Sequence, residues 1–161
     1  MQKTTDLGVS MQETSLGSAG RIHVDDVDAY SETMGQWDLE MRQISPGKFN
    51  SHTEYVEVAG MLLYREHWSL RSITSATTPA DSFLFGCNRS EQPEIEWCGK
   101  PLQHDLLAFC HPGTEIKSIT PDNNYHVILE VPSYLIKQIM PAEDLLTRLR
   151  FNHHIKTDAG Q

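Results

Sequence analysis

Basic residues are scarce in this chain. Lys and Arg number 13 against 22 Asp and Glu, a formal charge of −9 with His neutral. Such a balance argues against this chain gripping nucleic acid by itself, because phosphate contact is carried mostly by Lys and Arg. No basic region hides inside the total: residues 1–30 sum to −3, residues 31–133 to −7, and only residues 134–161 turn slightly positive, at +1. Long apolar runs are missing too. Nothing approaches the roughly 20 residues that span a bilayer, so no membrane partner is expected. The opening MQKTTDLGVSMQETSLGSAG lacks the apolar stretch of a secretory signal. Cysteine is sparse: Cys87, Cys98 and Cys110 are odd in number and widely spaced, which suits reduced thiols in a cytoplasmic protein better than a disulfide framework.

The usual signatures of chemistry are also absent. There is no Gly-x-Ser-x-Gly elbow, no Gly-x-x-x-x-Gly-Lys loop and no Cys-x-x-Cys pair. Cys87 and Cys110 lie inside apolar strand patterns, where a thiol packs as a small inert hydrophobe. Eight His residues invite a metal reading, but no His-x-His pair occurs. Glu66 and His67 are adjacent and fall on opposite faces of a strand, so they do not readily share one ion. His104, His111 and His126 have no supporting spacing, and His153-His154 sits in a polar stretch. No metal and no cofactor are expected.

What is present is an ordinary globular composition, 39% hydrophobic and 22% charged over 161 residues, enough for one domain with a real core. Residues 1–22, rich in Ser, Thr, Gly and Gln, read as a disordered tail. Val27, Tyr30 and Met34 share a helical stripe behind Asp25 and Asp26, and Gly35 ends it. From Trp37 the period becomes two. Strands are predicted over Trp37–Arg42, Phe49–Val58, Met61–Leu70, Ser82–Cys87, Glu94–Cys98, Asp105–His111, Glu115–Thr120 and Tyr125–Val131. Turn residues at Ala59-Gly60, Thr78-Pro79-Ala80, Cys98-Gly99-Lys100, His111-Pro112-Gly113 and Pro121-Asp122-Asn123 separate them. Many short strands at close spacing indicate a sandwich or barrel over residues 23–133. Residues 134–152 return to helix. Leu135, Ile136 and Ile139 share one face, and Leu145, Leu146 and Leu149 form a second stripe after Pro141, with acidic residues first and Arg last. Residues 153–161 read as a polar tail or linker.

Aromatics concentrate in the strand region. Tyr64, Glu66 and Trp68 share one strand face, Phe83, Phe85 and Cys87 another, and Trp97 and Phe109 follow. Aromatic walls with one or two polar groups suit a small-molecule pocket, but composition alone favours an ordinary β core, because most buried aromatics only pack.

The order of segments over residues 25–135, about two thirds of the chain, resembles the N-terminal regulatory domain of AraC-family transcription regulators, of the AraC-binding-like type. The residues that carry the resemblance begin with Asp25–Met34 leading into Trp37-Asp38-Leu39, then Ile44-Ser45-Pro46-Gly47-Lys48-Phe49. Gly60-Met61-Leu62-Leu63-Tyr64-Arg65-Glu66, Phe83-Leu84-Phe85-Gly86 and Trp97-Cys98-Gly99-Lys100-Pro101-Leu102 follow. His111-Pro112-Gly113-Thr114-Glu115 and Val127-Ile128-Leu129-Glu130-Val131-Pro132 close the series.

The resemblance implies a mainly β, cupin-like barrel or jelly roll with a short N-terminal helix and one or two C-terminal helices. It implies a non-enzymatic domain that senses a small-molecule effector and dimerises, with DNA contacted only through a C-terminal helix-turn-helix domain not contained in this sequence. The pocket lining expected on that basis is Tyr64, Glu66, Trp68, Phe83, Phe85, Trp97, Phe109 and His111. Glu66 would suit a cationic or hydroxyl-bearing ligand and His111 an anionic one. Ile136, Ile139, Leu145, Leu146 and Leu149 are assigned partly to barrel packing and partly to a homodimer contact. Two other readings stand beside this one: a small metal-dependent cupin enzyme using His67, His104, His111 or His126, and a stand-alone interaction or inhibitory partner of full-length regulators.

Overall fold

A computed structural model describes residues 10–14, 17–35, 37–90, 95–102, 106–139 and 154–156. Strands β1 (Ser10–Thr14) and β2 (Gly17–Val24) come first, then helix α1 (Val27–Thr33). Next are β3 (Asp38–Gln43), β4 (Ser51–Val58), β5 (Met61–Trp68), β6 (Ser72–Thr77) and β7 (Ser82–Asn88). Then come β8 (Ile95–Trp97), β9 (Lys100–Leu102), β10 (Leu106–Cys110), β11 (Glu115–Thr120) and β12 (Asn124–Pro132). Helix α2 (Ser133–Ile139) and β13 (His154–Lys156) complete the order.

The strands pair antiparallel into two sheets, one ordered β1-β2-β4-β5-β12-β7-β10-β13 and the other β3-β6-β11-β8-β9. The result is a mainly β, jelly-roll-like sandwich. The two sheets share no ladder among the described residues, so the barrel is not closed. Ala76 of β6 and Ile116 of β11 pack against Leu84 of β7 and Cys110 of β10, which joins the two inner faces. No described helix is long and apolar enough to cross a membrane.

Local chemistry explains most of the elements. Asp26 caps α1 by accepting the backbone N–H groups of Asp28 and Ala29 at 2.9 and 3.0 Å. Tyr30 then points into the core beside Phe49 and Trp68, with Val27 and Met34 packed around it. The β4–β5 and β8–β9 hairpins turn through Ala59-Gly60 and Cys98-Gly99, both residues of each pair at positive φ. Two such residues in succession make the turn whose twist matches that of the flanking strands.

Five strands depart from expectation, the first being Ser10–Thr14, which falls inside the expected disordered tail and yet pairs with β2. Gly17–Val24 lies partly in the expected tail, yet pairs with β4 over all eight of its residues. Its few apolar side chains, Ile22 and Val24 among them, leave no visible alternation. Ser72–Thr77 is central in the second sheet, between β3 and β11. Its buried positions are Ser72, Thr74 and Ala76, too small and polar to read as a hydrophobic face. Lys100–Leu102, begun as a turn, is the return strand of a hairpin. At the C-terminus, His154–Lys156 pairs with β10 where a polar tail is expected. Leu145, Leu146 and Leu149 lie outside the described residues, as do His104 and His153.

Candidate ligand-binding site

A cavity of ≈ 80 Å³, measured as the space open to the centre of a water molecule, lies between the sheets. A volume of that kind holds roughly five to eight waters, or one small organic molecule. Tyr64, Glu66 and Trp68 line it from β5 because the two-residue period turns all three to the same side. Trp37, Tyr30 and Met34 close it from the α1 end, so all three tryptophans of the chain border it.

Two polar rows cross the inner faces. In the larger sheet, the register sets Thr53 beside Glu66, Glu66 beside His126, and His126 beside Asn88. Glu66 is 3% exposed and both of its carboxylate oxygens are hydrogen-bonded. Oε1 accepts the Tyr30 hydroxyl at 2.9 Å and the Thr53 hydroxyl at 2.8 Å, and Oε2 lies 2.7 Å from His126 Nε2. Asn124 Oδ1 accepts the Ser90 hydroxyl at 2.9 Å, which turns the amide N–H towards His126 Nδ1 at 3.0 Å. His126 Nδ1 is then an acceptor, and Nε2–H donates to Glu66.

In the smaller sheet the register sets Thr74 beside Ser118 and Ser118 beside Trp97. These three also line the cavity. Thr74 Oγ1, Trp97 Nε1 and Asn88 Nδ2 are buried without a hydrogen-bond partner among the described residues.

A second buried carboxylate, Glu130, accepts Trp37 Nε1–H at 2.9 Å and the Tyr64 hydroxyl at 3.3 Å. Burial holds its carboxyl above the usual carboxylate range, against the pull of those two bonds. Burial, followed by the neighbouring Glu66 charge, raises Tyr30 and Tyr64 well above the ordinary phenol value, so both remain hydrogen-bond donors. Burial also pushes the Cys110 thiol up to about 12, which removes it as a nucleophile near neutral pH.

The expected lining is only partly assembled here. Tyr64, Glu66, Trp68 and Trp97 line the cavity, but Phe83, Phe85, Phe109 and His111 do not. On β7 the inward positions are Leu84, Gly86 and Asn88, so Phe83 and Phe85 face the other way. Phe83 and Phe109 form a separate cluster with ring centroids 5.9 Å apart, packed by Phe85 and by Ile136 of α2. His111 sits against both Phe83 and Phe109 at 5.6 and 5.0 Å. Of the expected contact residues on α2, Ile136 is therefore half-buried on the sandwich, while Ile139 is 80% exposed.

Sequence reasoning missed Trp37, Thr74, Asn88, Asn124 and the placement of His126. Among the described residues no three His, Cys, Asp or Glu side chains gather as metal ligands. His67 stacks on Tyr125, away from the cavity, while His111 belongs to the phenylalanine cluster and His126 to the cavity wall.

No protein-family model matches the chain, and no curated protein matches it. Among solved structures, the crystal structure of the AraC-like transcriptional activator CuxR is similar in fold, with a TM-score of 0.54 at 13% sequence identity. The likeness covers 74% of this chain and 49% of that one, so this chain spans about half the length of a protein whose fold it shares.

Proposed function

We propose that this chain is the effector-sensing and dimerisation domain of a transcription regulator of the AraC type, without enzymatic activity of its own. The observation that carries the reading is the fold shared with an AraC-like activator. The cavity supports it further. A molecule held there touches α1 through Tyr30 and Met34 and both sheets at once. Occupancy would thus favour one packing of α1 over another, which is the differential contact that effector action requires. The net charge of −9 agrees with a domain that leaves phosphate contact to a separate helix-turn-helix domain. For dimerisation, α2 seats Ile136 on the sandwich and leaves Tyr134 and Ile139 outward, 54% and 80% exposed.

A thermal-shift screen over small metabolites tests the sensing role, since a ligand that binds only the folded chain raises Tm by mass action. A dose-dependent rise for some member is expected. Silence across a broad set counts against sensing.

A further inference from the structure

We propose that the cavity takes a small, uncharged ring molecule bearing a carbonyl oxygen or a similar acceptor, and that Thr74, Asn88 and Trp97 supply the donors. This rests on the sensing role and names its ligand class. Among the described residues Glu66 is the one carboxylate that lines the cavity, and its two oxygens already accept Tyr30 and Thr53 and meet His126. Spare capacity lies on the donor side. Asn88 and Thr74 are 1% and 4% exposed, and Asn88 Nδ2, Thr74 Oγ1 and Trp97 Nε1 are all buried without partners among the described residues.

Buried donors without partners are costly in a folded protein, and a set of them around one cavity marks where a ligand's acceptors belong. The donors come from both sheets, Asn88 from β7 and Thr74 and Trp97 from β6 and β8. Thr74 and Trp97 flank Ser118 in one cross-strand row. Their backbones are thus two strand spacings apart, about 9–10 Å, and a ring laid over Ser118 lies within reach of both. Among the described residues no Lys or Arg lines the cavity, so a carboxylate or phosphate would meet the Glu66 carboxylate without a lysine or arginine to offset it. Three indole and two phenol rings stand among the aliphatic side chains of the wall, and such rings suit contact with a flat ligand.

Four probes of nearly equal size separate the alternatives on the full 161-residue chain: acetophenone, benzoate, benzylammonium and ethylbenzene. Acetophenone is expected to raise Tm and to titrate saturably by calorimetry, at least tenfold more tightly than the other three. Thr74→Val removes an unpartnered hydroxyl while keeping the shape. It is expected to raise the Tm of the free chain and to weaken acetophenone binding about tenfold, whereas a residue that only packs would move both in the same direction. Trp97→Phe is expected to weaken binding likewise. Equal or tighter binding of benzoate, benzylammonium or ethylbenzene overturns the ligand class and leaves the sensing role intact. Binding of acetophenone unchanged by both substitutions overturns the donor assignment. Binding of none of the four overturns the ligand class and counts against the cavity as a sensing site.

Discussion

Glu66 and His126 are direct partners across the β5–β12 ladder, and their side chains meet at 2.7 Å on the inner face of the larger sheet. The contact ties together three parts of the wall: α1 through the Tyr30 hydroxyl, β4 through Thr53, and β12 with its Asn124–Ser90 extension.

Replacing Glu66 by Gln therefore upsets more than one bond. With the amide N–H facing His126, the imidazole must move its proton to Nδ1, where it meets the Asn124 amide. With the amide turned round, the Tyr30 and Thr53 hydroxyls lose their acceptor. Glu66→Gln is expected to destabilise the fold by about 1–3 kcal/mol, the cost of leaving a buried donor unmade. At this chain length that lowers Tm by several degrees. Urea unfolding of the variant measures it, and an unchanged midpoint would show that the row carries no stability.

That row illustrates what a sequence hides. Tyr64, Glu66 and Trp68 share a face because a strand alternates, and the reading of β5 needed nothing more. His126, sixty residues on, joins Glu66 only through the register of β12 on β5, which no local pattern encodes. The same limit misplaced Phe83 and Phe85. Their size suggested a pocket wall, but the wall needs room, and Leu84, Gly86 and Asn88 provide it while the phenylalanines pack under α2. Strand β6 gives no hydrophobic signal for a related reason, since its inward side chains, Ser72, Thr74 and Ala76, are small and two of them polar. Helix α1 was legible because Asp26, Tyr30 and Met34 carry its cap and stripe within a single turn-by-turn repeat.

Glu130 makes stability depend on pH in a defined direction. Its folded carboxyl holds its proton above the ordinary value of 4.5, chiefly because it is buried. The folded chain then binds the proton more tightly than the unfolded chain, so this group's contribution falls as pH rises from 4.5 through the raised value. Glu130→Gln keeps an oxygen for Trp37 and Tyr64 but loses the charge. Relative to the parent chain, the variant is expected to gain stability as pH rises above about 4.5 and to level off once the parent's Glu130 has ionised, read from urea midpoints. Parallel curves would remove Glu130 from the account.

Self-association depends on a different surface. Ile139 is 80% exposed, so Ile139→Asp removes almost no buried contact within the chain and should leave Tm within about 1 °C at concentrations where the chain is monomeric. If α2 forms the dimer contact, sedimentation equilibrium will show the dimer weakened at least tenfold, because a buried, unpaired charge is costly at an apolar interface. An unaltered dimer would place the contact elsewhere.

Gly86 separates the cavity from the fold that surrounds it. It lines the cavity from the middle of β7, and its backbone does not require glycine, since it lies outside the positive-φ set. A Cβ there would meet Ile128 Cγ1 at 3.7 Å and the Val127 carbonyl oxygen at 3.9 Å, both ordinary contacts. Val also suits a strand better than Gly, which has more conformational freedom to lose on folding. Gly86→Val is therefore expected to keep or raise Tm while filling part of the ≈ 80 Å³ space. The acetophenone response should vanish in this variant, both as a Tm shift and as a change in emission from Trp37, Trp68 and Trp97, which all border the cavity. If the Val variant bound the probe as tightly as the parent, the ligand would have to lie outside this space, and the stability gain alone would mark Gly86 as a site of loose packing.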